Sequence, residues 1–407
     1  MSVQNVQSVP RSGTFFQNLG RVLRQNIREY GMFIALFVIM LIFALTTKGT
    51  FVSSRNLSNL LNQTGYIAVL AVGMTLVIVI RHIDLSVGFL AGFLGAVCAI
   101  ALSRWGMSVY LVIPLVLALG LLAGLITALP VAQLGIPSFV ASLAGWLIYR
   151  GFLQQVTEGT GTIIISNATF NALGNGFIPD IPGLGNVFEG VHKLTLLLGI
   201  VAIVLYVFSA ISTRRKQQAY NFEVIPGDIF TLQLTFISIL IGGVTWILAS
   251  YQGLSWTVVI MLIVVGIYHF ITTQTVLGRH IYAVGGNPDA AELSGISVKR
   301  IIYTVFGSMG LLSALSGILF AARLTSASPT AGTLFELDAI AAAYVGGVSA
   351  AGGVGRVTGS IIGALVMTSL INGMNLMGVG ISYQYIVRGA VLAAAVIFDV
   401  ATRRARR

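Results

Sequence analysis

The sequence predicts an all-α polytopic membrane protein of about 10–12 transmembrane helices with both termini in the cytoplasm, and three observations carry that expectation. Only 9% of the 407 residues are charged and 56% are hydrophobic, where a soluble domain carries roughly a quarter charged residues. Several apolar runs reach or approach the roughly 20 residues that cross about 30 Å of hydrocarbon, and Val109 to Leu129 contains no charged residue. Lys and Arg collect in alternate connections, the pattern that sets membrane orientation.

Apolar runs bounded by charges and turn formers give twelve candidate spans, at 30–47, 64–80, 87–102, 109–131, 137–152, 194–212, 230–249, 255–272, 301–322, 338–350, 358–376 and 384–400. The runs at 87–102 and 338–350 are short for a crossing, which suits broken or re-entrant helices covered by protein. With a cytoplasmic N-terminus, 16 of the 23 basic residues fall inside. They are Arg11, Arg21, Arg24, Arg28, Arg81, Arg214, Arg215, Lys216, Arg279, Lys299, Arg300, Arg356 and four arginines at 403–407. The organisation expected is a cytoplasmic segment 1–29, one transmembrane domain 30–400 and a basic cytoplasmic tail 401–407. Within the domain, 153–193 is an external loop, 213–229 a cytoplasmic basic loop and 273–300 a second cytoplasmic loop. The N-terminus shows no signal-peptide pattern, so the first run reads as a retained span.

The formal charge of +11 does not indicate nucleic acid, because the basic residues line no single face. The 47 glycines suit close packing of membrane helices, and Gly88/Gly92, Gly120/Gly124, Gly355/Gly359 and Gly359/Gly363 have GxxxG spacing. Cys98 is the single cysteine, so no intrachain disulfide or cysteine metal cluster forms. No metal site and no catalytic residue is expected. Lys48, Lys193, Lys216 and Lys299 follow no phosphate-binding loop, and His82, His192, His269 and His280 form no HExxH pair. Ionisable groups, which mark coupling paths inside ion-driven carriers, are nearly absent from the middles of the spans. Asp84 falls between the second and third spans, and Glu336 and Asp338 at the expected outer edge of the tenth.

Uncharged polar residues are the candidates for a solute path: Asn62, Gln63 and Thr64 at the start of the second span, and Asn372 and Asn375 in the eleventh. Interhelical hydrogen bonding is the competing role for each. The segment Arg279 to Arg300 is the most informative cytoplasmic stretch. Asn287 suits a helix cap and Pro288 the first helical position; Asp289 and Glu292 suit the positive end, and Gly295 a left-handed stop. A capped helix of about two turns follows, marginal alone in water and therefore in need of a docked surface.

These runs resemble the permease subunits of ribose-, xylose-, arabinose- and galactose-type ABC importers, most closely the multiple-monosaccharide subgroup. The likeness rests on Ala71-Val-Gly-Met74 leading to Ile83-Asp-Leu-Ser-Val-Gly88, and on Ile136-Pro-Ser-Phe139 with Leu143-Ala-Gly145. It continues in Gly278 to Asn287 with Leu293-Ser-Gly-Ile296, in Glu336 to Ala341 through Gly352-Gly-Val-Gly355, and in Asn26 to Met32. The resemblance implies a permease, not an enzyme, in the bacterial inner membrane. It would carry a monosaccharide, xylose-, arabinose-, galactose- or glucose-like, into the cytoplasm with ATP hydrolysed by a partner. The implied partners are a cytosolic ABC ATPase holding the ATP and Mg, a periplasmic sugar-binding protein, a second permease copy and membrane lipid, with no nucleic acid. Asn287, Pro288, Asp289, Glu292, Leu293 and Gly295 resemble the helix that couples permease to ATPase. Asp84, Gly88, Gly92, Gly353, Gly355 and Gly359 resemble glycine-rich packing turns, and the segments 83–88 and 352–363 resemble each other faintly, as two related halves would. The chain departs from the shorter ribose-type members in extra material between about Leu153 and Phe230. The competing function is a secondary carrier or facilitator for a small polar solute, which would act alone.

Overall fold

A computed structural model describes residues 27–182, 189–222, 224 and 226–404, without the side chains of 27–30 and 402–404. The expected segment 1–29 up to residue 26, its arginines Arg11, Arg21 and Arg24, and the tail end 405–407 lie outside the described residues. All twelve expected spans fall on helices: α1 (Ile27–Thr46), α2 (Ser54–Val79), α3 (Val87–Ser103), α4 (Val109–Leu134), α5 (Ser138–Thr157), α7 (Lys193–Ala219), α8 (Gly227–Ala249), α9 (Trp256–Gln274), α12 (Val298–Leu324), α13 (Phe335–Val345), α14 (Val357–Leu376) and α15 (Ile381–Arg404). Between them lie α6 (Ala168–Asn175), α10 (Val276–Gly286), α11 (Pro288–Leu293) and the two-residue strands β1 (Ile163–Ile164) and β2 (Ser326–Ala327). Eight of the described helices are long and apolar enough to cross a membrane.

The contacts divide the described residues into two compact units, one within 32–179 and 254–404, the other within 27–31 and 180–253. In the larger unit, α2 and α12 are the buried centre, with every α2 residue from Ile67 to Val79 buried. The helices that follow α2, namely α3 and α4, pack on α12, and those that follow α12, namely α13 and α14, pack on α2. Within each quartet the second helix also packs on the fourth, α3 on α5 and α13 on α15. This exchange is the arrangement of two interlocked structural repeats. The faint likeness of 83–88 to 352–363 does not follow it: the first segment joins the first two helices of its quartet, the second joins the second to the third.

Glycines let the crossings close. At Gly120 and Gly124 of α4 a methyl group would run into backbone of Gly310 and Phe306 on α12, and at Gly317 of α12 into Ala91 of α3. Gly359 and Gly363 of α14 meet Gly346 and Ala342 in the same way. Contact at this distance supplies the dispersion that replaces hydrophobic drive between membrane helices.

Several expected limits need correction. The second span begins at Ser54, ten residues before the apolar run, with Ser53 accepting from Asn56 N at 3.4 Å. Its first turns are polar because they face protein, where Asn56 and Asn62 are buried. The stretch 153–193, expected to be an external loop, holds the end of α5, β1 and α6. Helix α7 runs on to Ala219 and α8 starts at Gly227, which shortens the basic loop to 220–226. The tenth span is an 11-residue half-helix, α13, entered through β2 and the turns of 328–334. Glu336 and Asp338 are therefore not at an outer edge: both are buried in the first turn of α13, and Gly88, at the start of α3, sits against the Glu336 carboxylate and Gly332. With a rise of 1.5 Å per residue, that point is about 22 Å along α3 from Ser103. Protein covers this broken backbone, as hydrocarbon requires.

The smaller unit pairs α7 with α8, where Gly199 abuts Thr245. Asp180 Oδ1 accepts from Leu194 N and Ile181 N, both at 2.9 Å, and Lys193 Nζ lies 3.8 Å from its other oxygen. These backbone bonds hold the Asp180 carboxyl down at about 2, and burial opposes them only in part. At the other end of α7 the Arg214 guanidinium stacks 4.5 Å over Phe230.

Candidate functional site

The stretch between α9 and α12, expected to be cytoplasmic, is almost wholly helical. Thr275 caps α10 by accepting from Gly278 N at 3.2 Å, and α10 buries Gly278, Ile281, Val284 and Gly285. Asn287 is at once the last cap of α10 and the first cap of α11, with Oδ1 accepting from Ala290 N at 3.1 Å. Pro288 follows at the first helical position, where its missing N–H is no loss. Six residues, Pro288–Leu293, form α11, one turn and a half where about two were expected. Gly295 has φ +83° and closes it, with Ile296 N donating to Ala291 O at 3.0 Å. One face of α11 is anchored through buried Ala291; Asp289, Glu292, Leu293 and Gly295 are exposed, and Leu293 is 91% exposed.

The base of this element is stitched to two others. Gly353 N donates to Val79 O at 2.8 Å, Gly285 lies against the same Val79 carbonyl, and Tyr282 OH donates to Gly355 O at 2.6 Å. Burial raises the pKa of the Tyr282 phenol, with the Arg356 guanidinium pulling the other way. The glycine-rich stretch 346–356, the end of α2 and the end of α10 thus share one junction. Gly353, with φ +69°, and Gly355 sit in it, while Gly359 packs on Gly346 one turn into α14. Asp84, Gly88 and Gly92 lie apart from them. Asp84 Oδ1 accepts from Ser86 N at 2.9 Å and Ser86 Oγ at 2.6 Å just before α3, and Gly92 abuts Ala331.

The proposed path residues separate into two kinds. Asn62 accepts from Ser255 Oγ, Thr64 shares a 2.6 Å hydroxyl contact with Thr368, and Asn372 Oδ1 accepts from Asn56 Nδ2 at 2.9 Å. All three are buried bonds between helices, the competing role weighed for them. Gln63 is half-buried and Asn375 exposed, the latter accepting from Gln384 Nε2 at 2.8 Å.

Sequence reasoning missed the charged groups around α13. Arg388 of α15 lies 3.4 Å from Asp338, Trp146 Nε1 donates to Glu336 at 3.1 Å, and Arg150 stacks on Phe89 and Trp146 at 5.6 and 5.3 Å. It also missed Arg81, whose Nε donates to Gly285 O at 2.7 Å and whose terminal nitrogen donates to Gly286 O. An isolated arginine after an apolar run reads as an orientation charge, and nothing local distinguishes it. No group of three or more metal-ligating side chains occurs among the described residues.

Comparison with known proteins gives one family and three relatives. A family model described as "Branched-chain amino acid transport system / permease component" matches residues 56–396. The xylose transport system permease protein of Haemophilus influenzae is 40% identical over 380 residues, 93% of this chain and 98% of that protein. Its Escherichia coli counterpart is 39% identical over 397 residues, covering 98% and 97%. The ribose import permease protein of Escherichia coli is 35% identical over 373 residues, covering 92% and 94%. No solved structure matches the chain.

Proposed function

The chain belongs to the family of permease components described for branched-chain amino acid transport, and from that premise we propose that it is the membrane-spanning subunit of an ATP-driven monosaccharide importer. The relatives matched over nearly the whole chain carry the names of xylose and ribose permeases, which directs the substrate towards small sugars and away from amino acids. It is a multi-pass protein of the inner membrane and not an enzyme.

The observation that carries the mechanism is α11: a helix capped at both ends, exposed, and bearing a nearly bare leucine. A cytosolic ATPase supplies the surface that covers Leu293 and holds ATP and Mg; this chain binds neither. Asn287, Pro288, Asp289, Glu292, Leu293 and Gly295 form the contact. Closure of the ATPase moves α11, and the junction of α2, α10 and 346–356 passes that movement to the helices. A secreted sugar-binding protein delivers the sugar on the opposite face, and two copies of the chain enclose the path. Gln63 and Asn375, the less buried of the candidate amides, are the first side chains to examine as lining. The packing glycines Gly88, Gly92, Gly353, Gly355 and Gly359 hold the helices close enough for rigid movement.

Uptake of radiolabelled xylose into vesicles containing the chain, its ATPase and its binding protein tests the proposal, with ribose and leucine as competitors. Uptake is expected to require ATP and to be reduced by ribose. Xylose flux in vesicles containing this chain alone would establish a self-sufficient carrier instead, and competition by leucine without xylose uptake would move the substrate class.

A further inference from the structure

Arg81 stands where the end of a helix calls for glycine. Helix α2 closes with Arg81 N donating to Ile78 O at 2.9 Å and His82 N to Val77 O at 3.0 Å, the paired pattern whose first residue beyond the helix takes left-handed geometry. Arg81 takes it with φ +65°, a conformation in which a Cβ is crowded. Its side chain gives the position a purpose. The guanidinium donates from two nitrogens to the carbonyls of Gly285 and Gly286. Those are the last carbonyls of α10, which have no partner within their own helix and lie at its negative end. The next residue, Asn287, already caps α11, so no free residue separates the clamp from the motor contact. Around it the backbones touch: Gly352, with φ +79°, lies against the Arg81 side chain and Gly285 O.

We propose that Arg81 is a positioning residue that makes α11 and the buried end of α2 move as one piece. It transmits force because it fixes the hinge point at 285–287 to the most buried helix of the unit. Without it, displacement of α11 bends the junction between α10 and α11 and leaves α2 where it was. The inference rests on α11 being the motor contact. It goes further by naming the residue that carries the movement inward and the elements it joins.

The two parts are separable by experiment in the complete complex. Glycine is the preferred residue for left-handed geometry, so Arg81→Gly relieves the backbone while cutting the clamp. The variant is expected to insert, to keep its thermal midpoint and to bind the ATPase as wild type does. The ATP hydrolysed per xylose imported is expected to rise by at least about tenfold, the scale of losing one charge-assisted hydrogen bond of about 1.5 kcal/mol, where two are cut. Arg81→Lys, a single point charge in place of the planar fork, is expected to restore the ratio in part. A role in folding alone would change stability and leave the ratio unmoved. Arg81→Gly with the wild-type ratio would overturn the clamp, as would Arg81→Lys no better than Arg81→Gly. If Leu293→Asp still binds the ATPase, or if the wild-type complex imports no xylose, the underlying reading fails and the clamp with it.

Discussion

Replacing Leu293 by alanine tests the docking surface at its most exposed point. The side chain is 91% exposed, so the change removes almost no contact within the chain, and a surface change of this kind moves folding stability by no more than about 0.5 kcal/mol. Covering the leucine completely in an ATPase groove contributes about 0.8 kcal/mol for each of the three carbons that alanine lacks, about 2.4 kcal/mol in all. At 1.4 kcal/mol per tenfold, that is an increase in Kd of about 50-fold, and half-covering gives about 7-fold. The assay is a titration of the chain in nanodiscs with its purified ATPase, read by fluorescence anisotropy, beside a thermal melt of the chain alone. An unchanged melt with a Kd within about twofold of wild type would refute the reasoning, because no apolar groove then receives this side chain.

Three further perturbations have outcomes fixed by the geometry. Asp338→Asn leaves the Arg388 guanidinium without its carboxylate at 3.4 Å, which is expected to cost about 3–5 kcal/mol; a melt in detergent should fall, and the double variant with Arg388→Met should recover most of the loss. Gly310→Ala drives a methyl into the backbone of Gly120 and Gly124, whereas Gly266→Ala meets nothing within 4 Å. Opposite shifts in the melt are expected, a loss at 310 and, at 266, a gain of about 0.5–1 kcal/mol from helix propensity. Asp180 has its pKa lowered to about 2 by the backbone N–H groups of Leu194 and Ile181. A depressed carboxyl contributes stability that is full above its unfolded value, near 4, and is lost as pH falls through the folded one. Hydrogen exchange at the start of α7 should therefore separate wild type from Asp180→Asn at neutral pH and converge between about pH 4 and pH 2.

Hydropathy located a helix at each of the twelve expected runs because a lipid-facing surface must be apolar, and α4, α7, α8 and α15 leave most of their length uncovered by the rest of the chain. It misjudged α2 and α13, the helices that do not. The first turns of α2 carry Ser53, Asn56, Asn59 and Asn62, and a helix enclosed by protein is free to be polar wherever a partner bond exists. Half-helix α13 was placed by its apolar residues, but its depth is set by tertiary contact between Glu336 and Gly88, 248 positions apart by subtraction of their numbers. The caps of α11 were legible since each acts within three residues: Asn287 on Ala290, Gly295 on its own backbone. Arg81 and the Asp338–Arg388 pair were not, because a charge becomes a clamp or a buried pair only through a partner about 50 or 200 residues away.

The segment between α6 and α9, which overlaps the extra material expected between about Leu153 and Phe230, is joined to the larger unit by closely spaced ends. Ile178 N donates to Leu254 O at 2.9 Å and Trp256 N to Gly176 O at 3.1 Å, with Phe177 and Ser255 paired in antiparallel register. Residues 178 and 254 therefore stand side by side inside the larger unit, and the chain leaves and returns through one narrow neck. What lies beyond, 180–253, contributes two long helices, an even number, so removing both leaves α9 to α15 with unchanged orientation. A turn of about four residues such as Gly-Asn-Gly-Ser spans the neck, since the flanking strands already have the spacing of a hairpin. The shortened chain is expected to insert in the membrane and to keep the ATPase affinity of wild type, because the caps of α10 and α11 and the Arg81 bonds named above join residues of the larger unit only. Its sugar uptake then reports on the segment directly: retained uptake makes 180–253 dispensable for transport, and lost uptake with intact ATPase binding assigns it a part in sugar delivery. A shortened chain that is degraded, or that no longer binds the ATPase, would show that the larger unit does not stand by itself and would refute the argument from the neck.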